Sequence, residues 1–208
     1  MERKRTDVRK LAGMALLTAV VVILQLLGSF IRFGPFSISL VLIPIVVGAA
    51  LYGAGAGAWL GFVFGLVVLL SGDAAAFLAI SPAGTILTVL LKGTLAGLIA
   101  GLVYRALSGR KKGPDGTQQD TLSAKPLAVI AAAIVCPVVN TGIFLLCSVL
   151  FFLPTITEWA AALGFESAGK YMIFGMVGGN FLFELLLNIV LSPVIIRLIR
   201  IRKKTRTE

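Results

Sequence analysis

The chain has 208 residues, of which 58% are hydrophobic and only 13% charged, with a mean hydropathy of +1.02; an average soluble domain is about 25% charged. This composition describes an integral membrane protein and excludes a soluble catalytic or nucleotide-binding domain. The formal net charge of +10 would suggest nucleic acid in a soluble protein, but the basic residues stand at the ends of apolar segments, where cytoplasmic retention explains them.

At about 20 apolar residues per crossing, the chain has room for six helices and little else. A basic opening, MERKRTDVRK, leads into an apolar run over 11–31. It resembles a signal peptide, but it is long enough to cross, further spans follow at once, and no small-x-small cleavage site precedes Gly34-Pro35. It reads as the first span. A second covers 37–52, and the Gly-Ala-Gly-Ala-Gly stretch from Gly53 to Gly57 allows a tight reversal into a third over 58–70. The segment 71–84, SGDAAAFLAISPAG, holds an acid, a proline and a second glycine and reads as a loop near the membrane. After a fourth span over 85–107 comes the one hydrophilic stretch, 108–125, expected to be a mobile cytoplasmic linker. The fifth span covers 126–152, a mixed loop 153–170, and the sixth span 171–198. The expected fold is an all-α bundle of six transmembrane helices in a single membrane domain, 1–208.

Five Lys and Arg lie near the N-terminus, five between Arg105 and Lys125, and six from Arg197 onward. Only Arg32 and Lys170 fall in the opposite loops, so both termini and the linker are placed in the cytoplasm. An even number of spans agrees with that.

Ionisable groups at mid-membrane cost roughly 2.5–3.5 kcal/mol on insertion scales, so each needs a partner or a water-filled pocket. Lys92 lies about 10 Å below the outer end of the fourth span and Glu184 about 20 Å below that of the sixth. Asn180, Glu184 and Asn188 are spaced by four and share a helix face that must look into the bundle. Asn140, in the fifth span, is placed to meet them, and Pro137 frees a backbone carbonyl nearby. These residues either line a substrate pocket between the fourth, fifth and sixth spans, or form a buried ion pair tied by asparagine hydrogen bonds.

Gly57, Gly61 and Gly65, and Gly93, Gly97 and Gly101, repeat at four-residue spacing and let helix backbones approach closely. Ala15-x-x-x-Ala19 gives the first span a similar face, for internal packing or for another protein's helix. Trp159 and Tyr171 flank the outer end of the second half, as headgroup anchors, with the alternative that Trp159 folds over the pocket as a lid. Cys136 and Cys147, on one helix about 16 Å apart, are too distant for a disulfide. With no histidine, no GxSxG, no HExxH and no phosphate-binding loop, neither an enzyme, an ATPase nor a metal or cofactor site is expected.

Ala15-x-x-x-Ala19, the stretch FSISLVLIPIVVGAALYGAGAGAWLGFVFG from Phe36 to Gly65 and LKGTLAGLIAGLVYR from Leu91 to Arg105 resemble the substrate-binding S component of energy-coupling-factor (ECF) transporters, over nearly the whole chain. The resemblance implies capture of a vitamin-like micronutrient at the outer side of a prokaryotic cell membrane, and docking of the Ala15/Ala19 face on a transmembrane coupling subunit carried by two ATPases. Lys92, with Arg32, suits a substrate carboxylate; Glu184, Asn140 and Asn180 suit amide or hydroxyl groups. Pantothenate fits that mix, with riboflavin and folate open. A self-sufficient secondary transporter, for which no inverted repeat is visible, or a ligand-free assembly protein are the other classes.

Overall fold

A chain this apolar has little water to satisfy its backbone, so each segment must hydrogen-bond within itself, and helices do that. The structure, a computed structural model, describes residues 2–30, 32–33, 36–37, 40–108, 111–112, 118–119 and 125–204, with side chains over 8–30, 40–108 and 125–199. The helices are α1 (Glu2–Gly28), α2 (Leu42–Tyr52), α3 (Ala54–Leu70), α4 (Ala75–Ile80), α5 (Pro82–Ser108), α6 (Pro126–Ala162), α7 (Ala168–Lys170), a π-helical segment (Tyr171–Val177), α8 (Gly178–Val190) and α9 (Ser192–Lys204). Two antiparallel pairs of two-residue strands, β1 (Arg32–Phe33) with β2 (Phe36–Ser37) and β3 (Lys111–Lys112) with β4 (Gln118–Gln119), complete the described elements. The rest of the expected 108–125 linker lies almost wholly outside the described residues.

Each of the six expected apolar segments contains helix, but the second, expected from 37, has Ser37 in β2 and turns helical only at Leu42, and the helix of the first ends at Gly28. Among the described residues four helices are long and apolar enough to cross a membrane: Val8–Gly28, Pro82–Ser108, Pro126–Ala162 and Ala168–Val190. Leu42–Tyr52 and Ala54–Leu70 are apolar but shorter; at 1.5 Å per residue they extend only about 16 and 26 Å.

Several boundaries differ from the sequence reading. The expected 71–84 loop contains α4, and α5 begins at Pro82 because Ser81 caps it, its Oγ accepting from the Gly84 N–H at 3.3 Å. Ser followed by Pro at the first helical position is a start signal. The 153–170 loop is helical through Ala162: α6 runs on past both Pro137 and Pro154, and Thr157 Oγ1 donates to the Leu153 carbonyl in the turn that Pro154 interrupts (2.8 Å). The sixth segment is divided. It opens with π-helical turns and breaks at Leu191 before Ser192-Pro193 starts α9.

The connection from α2 to α3 is a single residue, Gly53, at φ +98°, a conformation that costs glycine nothing. Helix α5 packs along α3 on one side and α6 on the other; α1 lies against α2 and α3, and α8 against α6. The glycine repeats make the α3–α5 contact a backbone seam. A Cβ at Gly61 would fall on the Gly93 carbonyl oxygen, and one at Gly97 on that of Gly57. An aliphatic core built on Leu42, Ile45, Leu60 and Phe64 surrounds this seam. A second, aromatic cluster around Phe77, Phe152, Tyr171 and Met176 joins α4, α6 and the π-helical segment.

Candidate functional site

Between these two clusters lies a cavity. Lys92, Thr85 and Thr88 reach it from α5, Asn140 and Thr141 from α6, and Asn180 and Glu184 from α8. Phe64, Phe77, Phe144, Phe152 and Phe181 supply aromatic walls, and Met176 and Val177 enter from the π-helical turns. The cavity measures ≈ 80 Å³, several times the ~10–15 Å³ that one water needs.

The α5, α6 and α8 residues named from the sequence therefore meet. Glu184 is buried; its Oε1 accepts from Asn180 Nδ2 at 3.1 Å, and its backbone carbonyl accepts from Asn188 Nδ2 at 2.8 Å. The i, i+4 spacing read from the sequence produces both bonds. Lys92 lies within Coulombic range of Glu184 and Asp73, yet among the described residues it forms no ion pair with either. Its ammonium sits over the rings of Phe144 (5.2 Å) and Phe64 (5.6 Å), an arrangement that stabilises a cation without neutralising it.

Asp73 and Gln25 are among the lining residues that escaped the sequence reading, as did the share of α1 and α3 in the walls. Asp73, in the turn after α3, has an Oδ2 that accepts from Ser29 Oγ (2.6 Å), Gln25 Nε2 (2.8 Å) and Ser71 Oγ (3.1 Å). Gln25, on α1, is 1% exposed. A glutamine with a serine four residues on, inside an apolar span, carries the same signal that singled out Asn180 and Glu184.

Other expectations need correction. Trp159 stands in the last turns of α6 and not in a loop, so it is no loop-borne lid. Its ring packs edge-on against Phe77 at 5.7 Å, behind the wall that Phe77 provides. Tyr171 is buried against Phe165, at 5.2 Å between rings. Arg32 belongs to β1, but its side chain lies outside the described residues. Lys170 pairs with Glu166 at the surface. Cys136 and Cys147 are free and buried. Ala15 and Ala19 are exposed on α1, while Thr18 between them faces α3, where its Oγ1 accepts from Trp59 Nε1 at 3.2 Å.

Crossing-length apolar helices around a polar, aromatic-walled cavity define a multi-pass membrane protein built to hold a small ligand. The family model described as the ECF transporter, substrate-specific component, matches residues 9–196: the chain belongs to that family, which is a transporter component and not an enzyme family. Among solved structures, ThiT from Listeria monocytogenes superposes with a TM-score of 0.64 over 96% of this chain and 97% of that one, at 22% identity, a likeness of fold alone. No curated protein sequence matches the chain.

Proposed function

We propose that the cavity is the substrate site of an ATP-driven ECF importer for a vitamin-like micronutrient, and that the chain hands its cargo to a separate coupling subunit with two ATPases. The reading is of a single membrane domain crossing six times, in a prokaryotic plasma membrane with both termini cytoplasmic. Its support is one observation: Lys92, Glu184, Asn140 and Asn180 line a common cavity beside Asp73. Charges kept at such depth need a compensating function, and gripping a polar solute supplies one.

Lys92 holds a substrate carboxylate, with Arg32 as a second cation, and the amide side chains take hydroxyl or amide groups. Pantothenate combines these groups and is the first substrate to test; riboflavin and folate follow. Trp159 acts at one remove, by backing Phe77. On the outside of α1, exposed Ala15 and Ala19 offer a close-approach face to a partner helix, and Leu at both positions should abolish recovery of the coupling subunit while leaving substrate binding intact.

Mass spectrometry of the gently extracted protein, with calorimetric titration of pantothenate, tests the capture reading. A bound micronutrient supports it. Uptake into vesicles that contain this chain but no ATPase would replace it with a self-sufficient secondary transporter, and no bound molecule with no titration signal would leave an assembly protein.

A further inference from the structure

The hydrogen-bond directions around the cavity say more about the ligand than the charges do. A carboxylate only accepts, so the end of an amide that faces it must be the NH2. Asp73 thereby fixes Gln25, and Glu184 fixes Asn180, at donor–acceptor distances of 2.8 and 3.1 Å. In both amides the carbonyl oxygen is left over. Gln25 Oε1 and Asn180 Oδ1 are buried, and among the described residues neither meets a donor; both side chains line the cavity. Asn140, 5% exposed on the same wall, presents a third buried carbonyl oxygen in the same condition.

Two hydroxyl donors in the cavity wall are committed elsewhere. Thr88 Oγ1 donates to the Gly84 carbonyl at 2.6 Å and Thr85 Oγ1 to that of Ser81 at 2.8 Å, each closing on its own helix. A buried carbonyl without a donor is costly, and a site with several of them discriminates strongly against any ligand that brings none.

We propose that Gln25 and Asn180, each locked by a carboxylate, read the substrate through its hydrogen-bond donors, so that the ligand is a small polar compound presenting at least two O–H or N–H groups toward them. Gln25, on the helix that also carries the exposed alanines, is then a specificity-determining residue. This rests on the capture reading above and narrows it.

The full-length protein in detergent is titrated with pantothenate, riboflavin and folate, and with the deoxy analogue of whichever binds, in the wild type and in Gln25→Met. The expected result is a loss of about tenfold in affinity for the deoxy compound on the wild type, the equivalent of one hydrogen bond. The gap between parent and deoxy compound should then close in Gln25→Met. A merely structural role for Gln25 would weaken both compounds equally and keep the gap. The deoxy measurement on the unaltered protein stands even where Gln25→Met does not fold. A parent compound that binds with deoxy affinity unchanged within about twofold overturns the donor proposal and leaves capture intact. If none of the three binds and no small molecule co-purifies, the capture reading falls and takes this proposal with it.

Discussion

The two faces of α5 follow different rules. Toward α3 it offers Gly93, Ala96, Gly97 and Ala100, all buried, and the two backbones meet with no polar side chain between them. Toward α6 and α8 it offers Thr85, Thr88 and Lys92, and the neighbouring helices answer with asparagines and a buried glutamate around the cavity. One face trades side chains for close approach, which is how membrane helices associate when no hydrophobic force separates helix from lipid. The other keeps polar groups that packing alone would not select. Close packing and the polar lining of the cavity thus sit on one helix, and the seam gives the lining side chains a stiff support.

If that division is right, seam and cavity substitutions fail in opposite ways. The largest effect is expected from Gly61→Val. Its side chain would strike the Gly93 carbonyl, a backbone atom that can move only by parting the helices, and overpacking of this kind costs about 1–3 kcal/mol or more. The protein should lose its monodisperse elution and unfold at a distinctly lower temperature, whatever ligand is present. A variant with unaltered unfolding would show that the seam is not where stability resides.

Lys92→Ala should do the reverse. Removing a cation from the membrane interior relieves roughly 2.5–3.5 kcal/mol on insertion scales, so elution and unfolding should hold or improve. Affinity for a carboxylated substrate should fall about 10- to 100-fold, the range of a hydrogen bond to a charged group. Titration calorimetry on both proteins decides; unfolding of the variant would instead give Lys92 a structural role.

A smaller loss is expected from Asp73→Asn. The carboxylate accepts three donors, from α1, the turn that follows it and its own turn, and an amide would keep the shape while giving up the charge that strengthens them. About 1–2 kcal/mol of stability should go, with a few-fold loss of affinity as Gln25 loosens. An unchanged unfolding temperature would mean that these three bonds contribute nothing to holding α1 against the turn.

Glu184, Asn180 and Lys92 were legible in the sequence because burying polarity in hydrocarbon is expensive, so a polar residue at helical spacing in an apolar run marks an inward face. Gln25 obeys that rule and was overlooked because attention in its span went to the Ala15/Ala19 face. Asp73 could not have been found that way: it lies in a turn, and only the fold brings it beside α1. The helix limits failed where proline has two meanings. Pro154 resembles a stop, yet α6 continues through it; Pro82 resembles a loop residue, yet with Ser81 before it the helix begins there. The junction at Leu191 is the converse, an apolar run that periodicity cannot divide.

The smallest effect is expected where sequence reasoning placed a lid. Trp159 is not among the lining residues and packs on Phe77, which also packs against Phe144 at 5.9 Å and Phe152 at 5.0 Å. With two further rings supporting it, Phe77 should hold its position when Trp159→Phe replaces one aromatic neighbour by another, since such pairs contribute only about 0.5–1.5 kcal/mol beyond area burial. Substrate affinity should change by less than about twofold. A tenfold loss would mean that Trp159 meets the ligand directly, which requires the end of α6 to swing over the cavity on binding. Fluorescence distinguishes the two cases: Trp59 lies on α3 away from this end, so in Trp59→Phe the remaining emission belongs to Trp159, and it should shift little on substrate addition if the ring stays behind Phe77.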